Sequence, residues 1–420
     1  MLRSSLGFHT ITLSLSIPSD AASQLITDFC TYREKTGNIE IYKINGKNQP
    51  IIYYQSNYLM PLKVNIKFKD RDRGIRWCIR ASEGFHGFSG YMIEATINPK
   101  ILAGIIDYLA AATYTIMGCA SANFNNISQE ISSLLYSFSD YHITRIDYCA
   151  NISLDEIIPE CDPMQIMNLI KRSDIPPHYE EWMNYDDTAH RMKSRPESFY
   201  LKSNSVNINY YSKYLQLLNV SKENVEKGYT PVDPEILDAS RNIFRFEVQC
   251  KYHKIYSMSQ EAERLGDYSV HKSKSLLEPI KCIKIISDYY ARVIRKGDWY
   301  PLSEAIQIIK SKGFNRQRKD RLIQALKYVS QCRSLANAKA SYKGKELAAF
   351  KQTLKELEAL NINPVTIPRE WHIDHIPNLL RSCLDQLLKT SWDLSDQNTI
   401  ANYYTAVQYA NYYKKFGSPI

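Results

Sequence analysis

Apolar and polar residues alternate along the first half of the chain, as in strands with one packed and one polar face. Phe8 to Ile17, Leu62 to Phe68, Ile75 to Ile79 and Tyr91 to Ile97 follow this pattern. A helix is predicted to begin with Asn98 as N-cap and Pro99 in its first position, and to run through Met117. Further helices are predicted over Ser128 to Phe138 and Pro163 to Lys171, with a strand around Asp147 between them. Ser198 to Lys213 reads as a hairpin, and residues 218–240, rich in Asn, Glu, Lys and Pro, as a connecting insertion. Beyond about residue 255 helical periodicity takes over, through Leu276 to Ile294, Leu302 to Lys310 and Arg318 to Leu335. The expected fold class is α+β. A mainly antiparallel sheet with flanking helices should occupy residues 1–255, followed by a mainly helical region over 256–420.

Four segments carry candidate chemistry on their polar faces: Met92–Thr96, Thr144–Tyr148, Val206–Lys213 and Arg245–Val248. Asn207, Asn209, Tyr211 and Lys213 share one face, opposite Val206, Ile208 and Tyr210. The same parity sets Arg145 with Asp147, and Arg245 with Glu247. If these faces meet in one sheet, Glu94, Asp147 and Glu247 form an acidic cradle beside Tyr211. Their hard oxygen ligands favour Mg²⁺ or Mn²⁺ over zinc. Without a metal, converging carboxylates repel and raise one another's pKa values. For any single acid, a local ion pair is the commoner explanation, as Asp147 with Arg145 or Glu247 with Arg245. Those arginines either orient the carboxylates or contact phosphate. A phenol with a pKa around 10 needs a nearby cation to become a nucleophile, and Lys213 is placed to supply one. The chain has 31 tyrosines, so the bland reading of any one is strong. Tyr210 is expected in the core.

The order of Glu94 in Ile-Glu-Ala-Thr-Ile-Asn-Pro-Lys, Asp147 in Thr-Arg-Ile-Asp, Tyr211 in Tyr-Ser-Lys and Glu247 in Phe-Arg-Phe-Glu resembles the rolling-circle replication initiators of the filamentous-phage gene II type. It is similar, more loosely, to plasmid Rep proteins of the Rep_trans class and to relaxases of integrative elements. The likeness runs from the first strand to Thr366-Ile367-Pro368-Arg369. It implies a catalytic nicking and strand-transfer domain over 1–255 and a DNA-binding or accessory domain over 256–420. It further implies metal-dependent, site-specific nicking and rejoining of single-stranded DNA through a 5′-phosphotyrosine. The family's nucleophile lies in a Tyr-x-Lys motif, here Tyr211-Ser212-Lys213, with Tyr210 as the neighbouring alternative. Implied partners are double-strand origin DNA and single-stranded DNA, with a host helicase and polymerase.

Charge modifies this picture at one place. The formal net charge is +9, and residues 311–360 hold 12 Lys and Arg against 4 Asp and Glu. There the turn Ser311 to Asn315, followed by Arg316, Arg318, Lys319 and Arg321, resembles a helix-turn-helix entering DNA. The alternatives are a solvated helix face for the charge excess and ordinary helix packing for the turn and its helices. The nine cysteines contain no C-x-x-C pair, which argues for reduced thiols in a cytoplasm. The polar residues between Leu6 and Ile17 describe a strand rather than a signal peptide, and no apolar run reaches the ~20 residues of a membrane span. His372, Asp374 and His375 resemble part of an HNH nuclease or a metal site, but lack a matching downstream element. Phe85-His86-Gly87-Phe88 lacks a His-x-His arrangement. Two other functions remain open: a metal-dependent nuclease that uses water, needing the acids but not Tyr211, and a non-enzymatic DNA-binding regulator, needing only the basic helices.

Overall fold

The alternating segments pair into one large sheet in the computed structural model, which describes residues 4–43, 65–70, 72–84, 87–105, 109–186, 191–226, 228–264, 266 and 275–390. Its strands are β1 (Ser5–Ile17), β2 (Glu40–Lys43), β3 (Asn65–Asp70), β4 (Ile75–Gly84), β5 (Gly87–Ile97), β6 (His142–Ser153), β7 (Glu180–Glu181), and, beyond a separate hairpin of β8 (Asn184–Asp186) and β9 (Arg191–Lys193), β10 (Ser198–Lys202), β11 (Val206–Ser212) and β12 (Ile243–Cys250). The ten-stranded order is β2-β3-β4-β5-β1-β6-β12-β11-β10-β7. Every pairing in it is antiparallel. The expected α+β class, with a sheet first and helices after, is therefore what the chain adopts. Residues 62–64 of one expected strand, and Phe85 and His86, lie outside the described residues.

The helices are α1 (Ser19–Thr36), α2 (Pro99–Leu102), α3 (Met117–Ile131), α4 (Pro163–Lys171), α5 (Lys213–Glu226), α6 (Pro234–Ala239), α7 (Tyr252–Arg264), α8 (Pro279–Val293), α9 (Leu302–Ser311), α10 (Arg316–Gln331), α11 (Leu335–Ala340), α12 (Gly344–Ala359) and α13 (Leu379–Thr390). Three expectations needed correction. The Asn98 cap forms, but α2 stops after one turn, where Gly104 takes a left-handed φ of 79°. Ala112, within the span expected to be helical, instead exchanges both backbone hydrogen bonds with Phe8 of β1. The next helix lies earlier than Ser128 to Phe138, because Ser137 and Asp140 form a capping box that starts a separate turn at Phe138. The expected insertion 218–240 is largely helical, α6 being started by Asp233 as cap and Pro234 in its first turn.

One face of the sheet packs against helices. Phe29 of α1 stacks on Phe68 at 4.2 Å and meets Trp77 at 5.4 Å, and Trp77 in turn meets Phe124 of α3. On the other half Tyr210 stacks on Phe246 at 4.5 Å, and Phe246 meets Tyr290 of α8 edge-on. Each such aromatic pair contributes about 0.5–1.5 kcal/mol beyond its burial. Helix α13 lies against β6, its Cys383 thiol reaching the Asn151 carbonyl. Helices beyond residue 255 thus share a core with the sheet. None of the nine cysteines is in a disulfide. Among the described residues no helix is long and apolar enough to cross a membrane.

Candidate metal centre

The polar face of β1, β6, β12 and β11 holds the site. Along β1 and β6, Phe8 pairs with Tyr148 and Thr10 with Asp147, so His9 is an extra residue, a β-bulge. The bulge directs two consecutive side chains to one face. The Thr10 hydroxyl bonds Asp147, and His9 Nδ1 lies 3.3 Å from Glu247 Oε2. Glu247 is diagonal to Asp147, since Gln249 of β12 pairs with Asp147 and Glu247 with Cys149. His9, Asp147 and Glu247 each offer a ligand atom, all within 4.8 Å of one another.

Two carboxylates this close, both nearly excluded from water, cannot both ionise cheaply. Burial and the Glu247 charge push the Asp147 pKa up, against the opposing pull of Arg145, which grips both its oxygens at 2.7 Å. Burial also pushes Glu247 up, but His9, the Gln249 amide and Arg245 outweigh it and hold Glu247 ionised. Burial lowers the His9 pKa, favouring the neutral imidazole that can offer a lone pair. The donor set fits a divalent cation: carboxylates suit Mg²⁺ and Mn²⁺, and the imidazole tilts the choice toward Mn²⁺.

Tyr211 borders this cluster. It pairs with Arg245 across β11 and β12, and its hydroxyl donates to Glu247 Oε2 at 3.3 Å. The residue is only 7% exposed. Burial raises its pKa above the ordinary phenol value, with Arg245 opposing. Tyr210 faces the other way, into the core, as its parity predicted. Strand β11 ends at Ser212, so Lys213 opens α5 rather than continuing an extended segment. Its ammonium is buried near Arg245 and Lys100, and burial first, then these cations, draw its pKa down to about 6. Arg245 is itself buried and donates to Asn151 Oδ1 at 2.6 Å.

Glu94 is not brought into the cluster. It pairs with Ser14, whereas Asp147 pairs with Thr10, four residues or roughly 13 Å along β1. Arg80 Nη2 holds it at 2.8 Å. Of the four basic residues in the helix-turn-helix-like segment, Arg318 and Arg321 both grip Glu356 of α12, and Lys319 caps the Lys310 carbonyl. Arg316 is 95% exposed, 3.7 Å from Asp320. His375 bonds Asp298 at 3.0 Å and stacks on Tyr300, and His372 takes a left-handed φ of 53°. His375 thus serves a buried polar junction, and His372, Asp374 and His375 form no metal cluster among the described residues.

His9 was the residue not singled out from the sequence. Its signal was a break in alternation: His9 and Thr10 are consecutive polar residues between Phe8 and Ile11, the spacing an inserted residue produces.

No family model matches the chain, and no curated protein matches it. Among solved structures, a rolling circle replication initiator protein from Geobacillus stearothermophilus aligns with 61% of this chain and 78% of its own, at 9% identity and a TM-score of 0.25. A likeness of that level fixes neither family nor activity.

Proposed function

We propose that this chain initiates rolling-circle DNA replication by nicking and rejoining a single DNA strand, metal-dependently, through a 5′-phosphotyrosine. The observation that carries this is the convergence of His9, Asp147 and Glu247 with Tyr211 hydrogen-bonded to one of the carboxylates. The order of the Asp147, Tyr211 and Glu247 motifs supports the replication-initiator part. His9, Asp147 and Glu247 would hold Mg²⁺ or Mn²⁺, which supplies positive charge for the phosphate and for the phenolate. Glu247 is placed to accept the Tyr211 proton. The Tyr211 oxygen then bonds to phosphorus, the bond to the 3′ oxygen breaks, and that oxygen leaves as a 3′ hydroxyl after taking a proton. Arg245 and Lys213 stabilise the added negative charge, Lys213 by taking a proton when the phosphate arrives. Attack by a 3′ hydroxyl on the tyrosyl ester reverses the sequence, with the bond energy conserved. The sequence accordingly has no Gly-x-x-x-x-Gly-Lys-Ser/Thr phosphate loop. Exposed Arg316 and its neighbours would meet origin duplex. Glu94, held by Arg80, has no part in this step.

The test is incubation of the protein with Mn²⁺ or Mg²⁺ and labelled single-stranded oligonucleotides from its own replicon, resolved on a denaturing gel. A protein-linked band is expected with wild type and not with Tyr211→Phe. Its survival in Tyr211→Phe would rule Tyr211 out as the nucleophile. A second reading, hydrolysis by water at the same three ligands, draws support from the enclosure of Tyr211. It requires cleavage with no linked species.

A further inference from the structure

Tyr200 and Lys202 share the polar face of β10, opposite Asn209 and Asn207 of β11 and alternating with buried Phe199 and Leu201. The Tyr200 hydroxyl bonds Gln249 at 3.2 Å and receives the Asn207 amide at 2.7 Å, so a polar chain links it to the Gln249 amide on Glu247. At the sheet edge Trp182 is fixed by its backbone bond to Tyr200 and remains 40% exposed, its ring 5.2 Å from that of Tyr200. Lys202 Nζ sits 3.1 Å from the indole centroid and Arg195 4.6 Å. Lys251 lies nearby, its Nζ donating to the Ser203 carbonyl at 2.7 Å in the turn between β10 and β11. Asn207 is buried, yet its Oδ1 has no hydrogen-bond partner among the described residues.

From these features we infer that the strip from Arg145 through Lys251 and Lys202 to Trp182 is a binding track for single-stranded DNA flanking the scissile phosphate, with an unpaired base stacked on Trp182. This rests on the nicking reading for the location of the scissile phosphate, and deepens it by naming a subsite. Phosphates draw Lys202 and Arg195 off the indole, and a base takes the vacated face. Stacking of this kind tolerates any base, because each has a π face. The track spans two to three strands from Glu247, roughly 10–15 Å, the reach of a few nucleotides. Duplex DNA keeps its bases stacked inside and gains nothing from the indole.

The experiment is fluorescence anisotropy of a labelled 20-nucleotide oligothymidine and of a duplex of equal length, in EDTA. It compares wild type, Trp182→Ala, Trp182→Phe and Lys202→Gln, each first checked by thermal unfolding. Trp182→Ala should weaken single-strand binding by about 5- to 100-fold and leave duplex binding unchanged, while Trp182→Phe retains most of it. Lys202→Gln should lower the slope of log affinity against log salt by about one. Single-strand affinity unaltered in Trp182→Ala, or loss equal for both DNA forms, overturns the inference. Without metal no cleavage enters this readout. A Trp182-dependent protein that never cleaves would therefore refute the nicking reading alone, and a cleaving protein indifferent to Trp182 would refute the track alone.

Discussion

Asp147 decides when the centre can accept a cation. Its pKa is raised by burial and by Glu247, so a proton must leave before its oxygens can bind metal. Mn²⁺ affinity should therefore rise between pH 6 and 8, by up to about tenfold per unit where Asp147 titrates, with proton release. Calorimetry in buffers of different ionisation enthalpy reads both. Asp147→Asn should weaken binding by more than about 100-fold and abolish that pH dependence. Lys213 works with the opposite group. Its folded pKa near 6 lies below the unfolded value, so the unfolded chain binds more protons between the two. Stability from this residue is full above the unfolded value, falls as pH drops, and is lost by pH 6. Lys213→Met should be more stable than wild type by several kcal/mol at pH 6.5, a difference that shrinks as pH rises toward 9. Urea titrations across that range measure it.

At the scale of elements, the bulge in β1 is what makes a three-ligand set from strands whose regular alternation would offer two acids. Its setting depends on Gly7, whose added Cβ would lie 2.9 Å from the Ala112 carbonyl carbon and closer still to its oxygen. Gly7→Ala should cost about 1–3 kcal/mol and weaken Mn²⁺ binding together, since Ala112, bonded to Phe8 next to His9, must move. Thermal unfolding with and without Mn²⁺ checks both effects. This is also where reading from sequence reached its limit. Alternation placed Asp147, Tyr211 and Glu247 on polar faces and Tyr210 in the core, because parity is local. It does not fix register between distant strands, and register is what separates Glu94, opposite Ser14, from Asp147, opposite Thr10. Nor could it show that Lys213 begins a helix, or that Ala112 bridges to Phe8 of β1. Asn98-Pro99, Asp162-Pro163 and Asp233-Pro234 are local cap signals and mark true helix starts. The last of them lay in a segment whose polar composition suggested an insertion.

For the whole molecule, a polar junction at Asp298 adds to the apolar core that the sheet and later helices share. Asp298 accepts from the Asn378 backbone and the Asn361 amide, each at 2.8 Å, and pairs with Arg381 and His375. Arg381 belongs to α13, the helix whose Cys383 meets Asn151, and Asn151 in turn holds Arg245 beside Tyr211. Asp298→Ala strands a partly buried arginine and should cost about 3 kcal/mol or more by denaturant titration. The Asp298 pKa is lowered by these partners despite burial, so their contribution is present above its unfolded value and fades as pH falls through the folded one. The change from strands to helices near residue 255 was legible as a change of period. That both parts would share one core was not, because nothing in periodicity says which apolar faces meet.

The most direct test of the central claim is mass spectrometry of proteolytic peptides after the protein has met Mn²⁺ and a cleavable single-stranded oligonucleotide. The account requires a nucleotide adduct of the expected mass on the peptide containing Tyr211, removed when a free 3′ hydroxyl strand is added. Cleaved DNA bearing a plain 5′ phosphate, with every tyrosine peptide unmodified at early times, would contradict it.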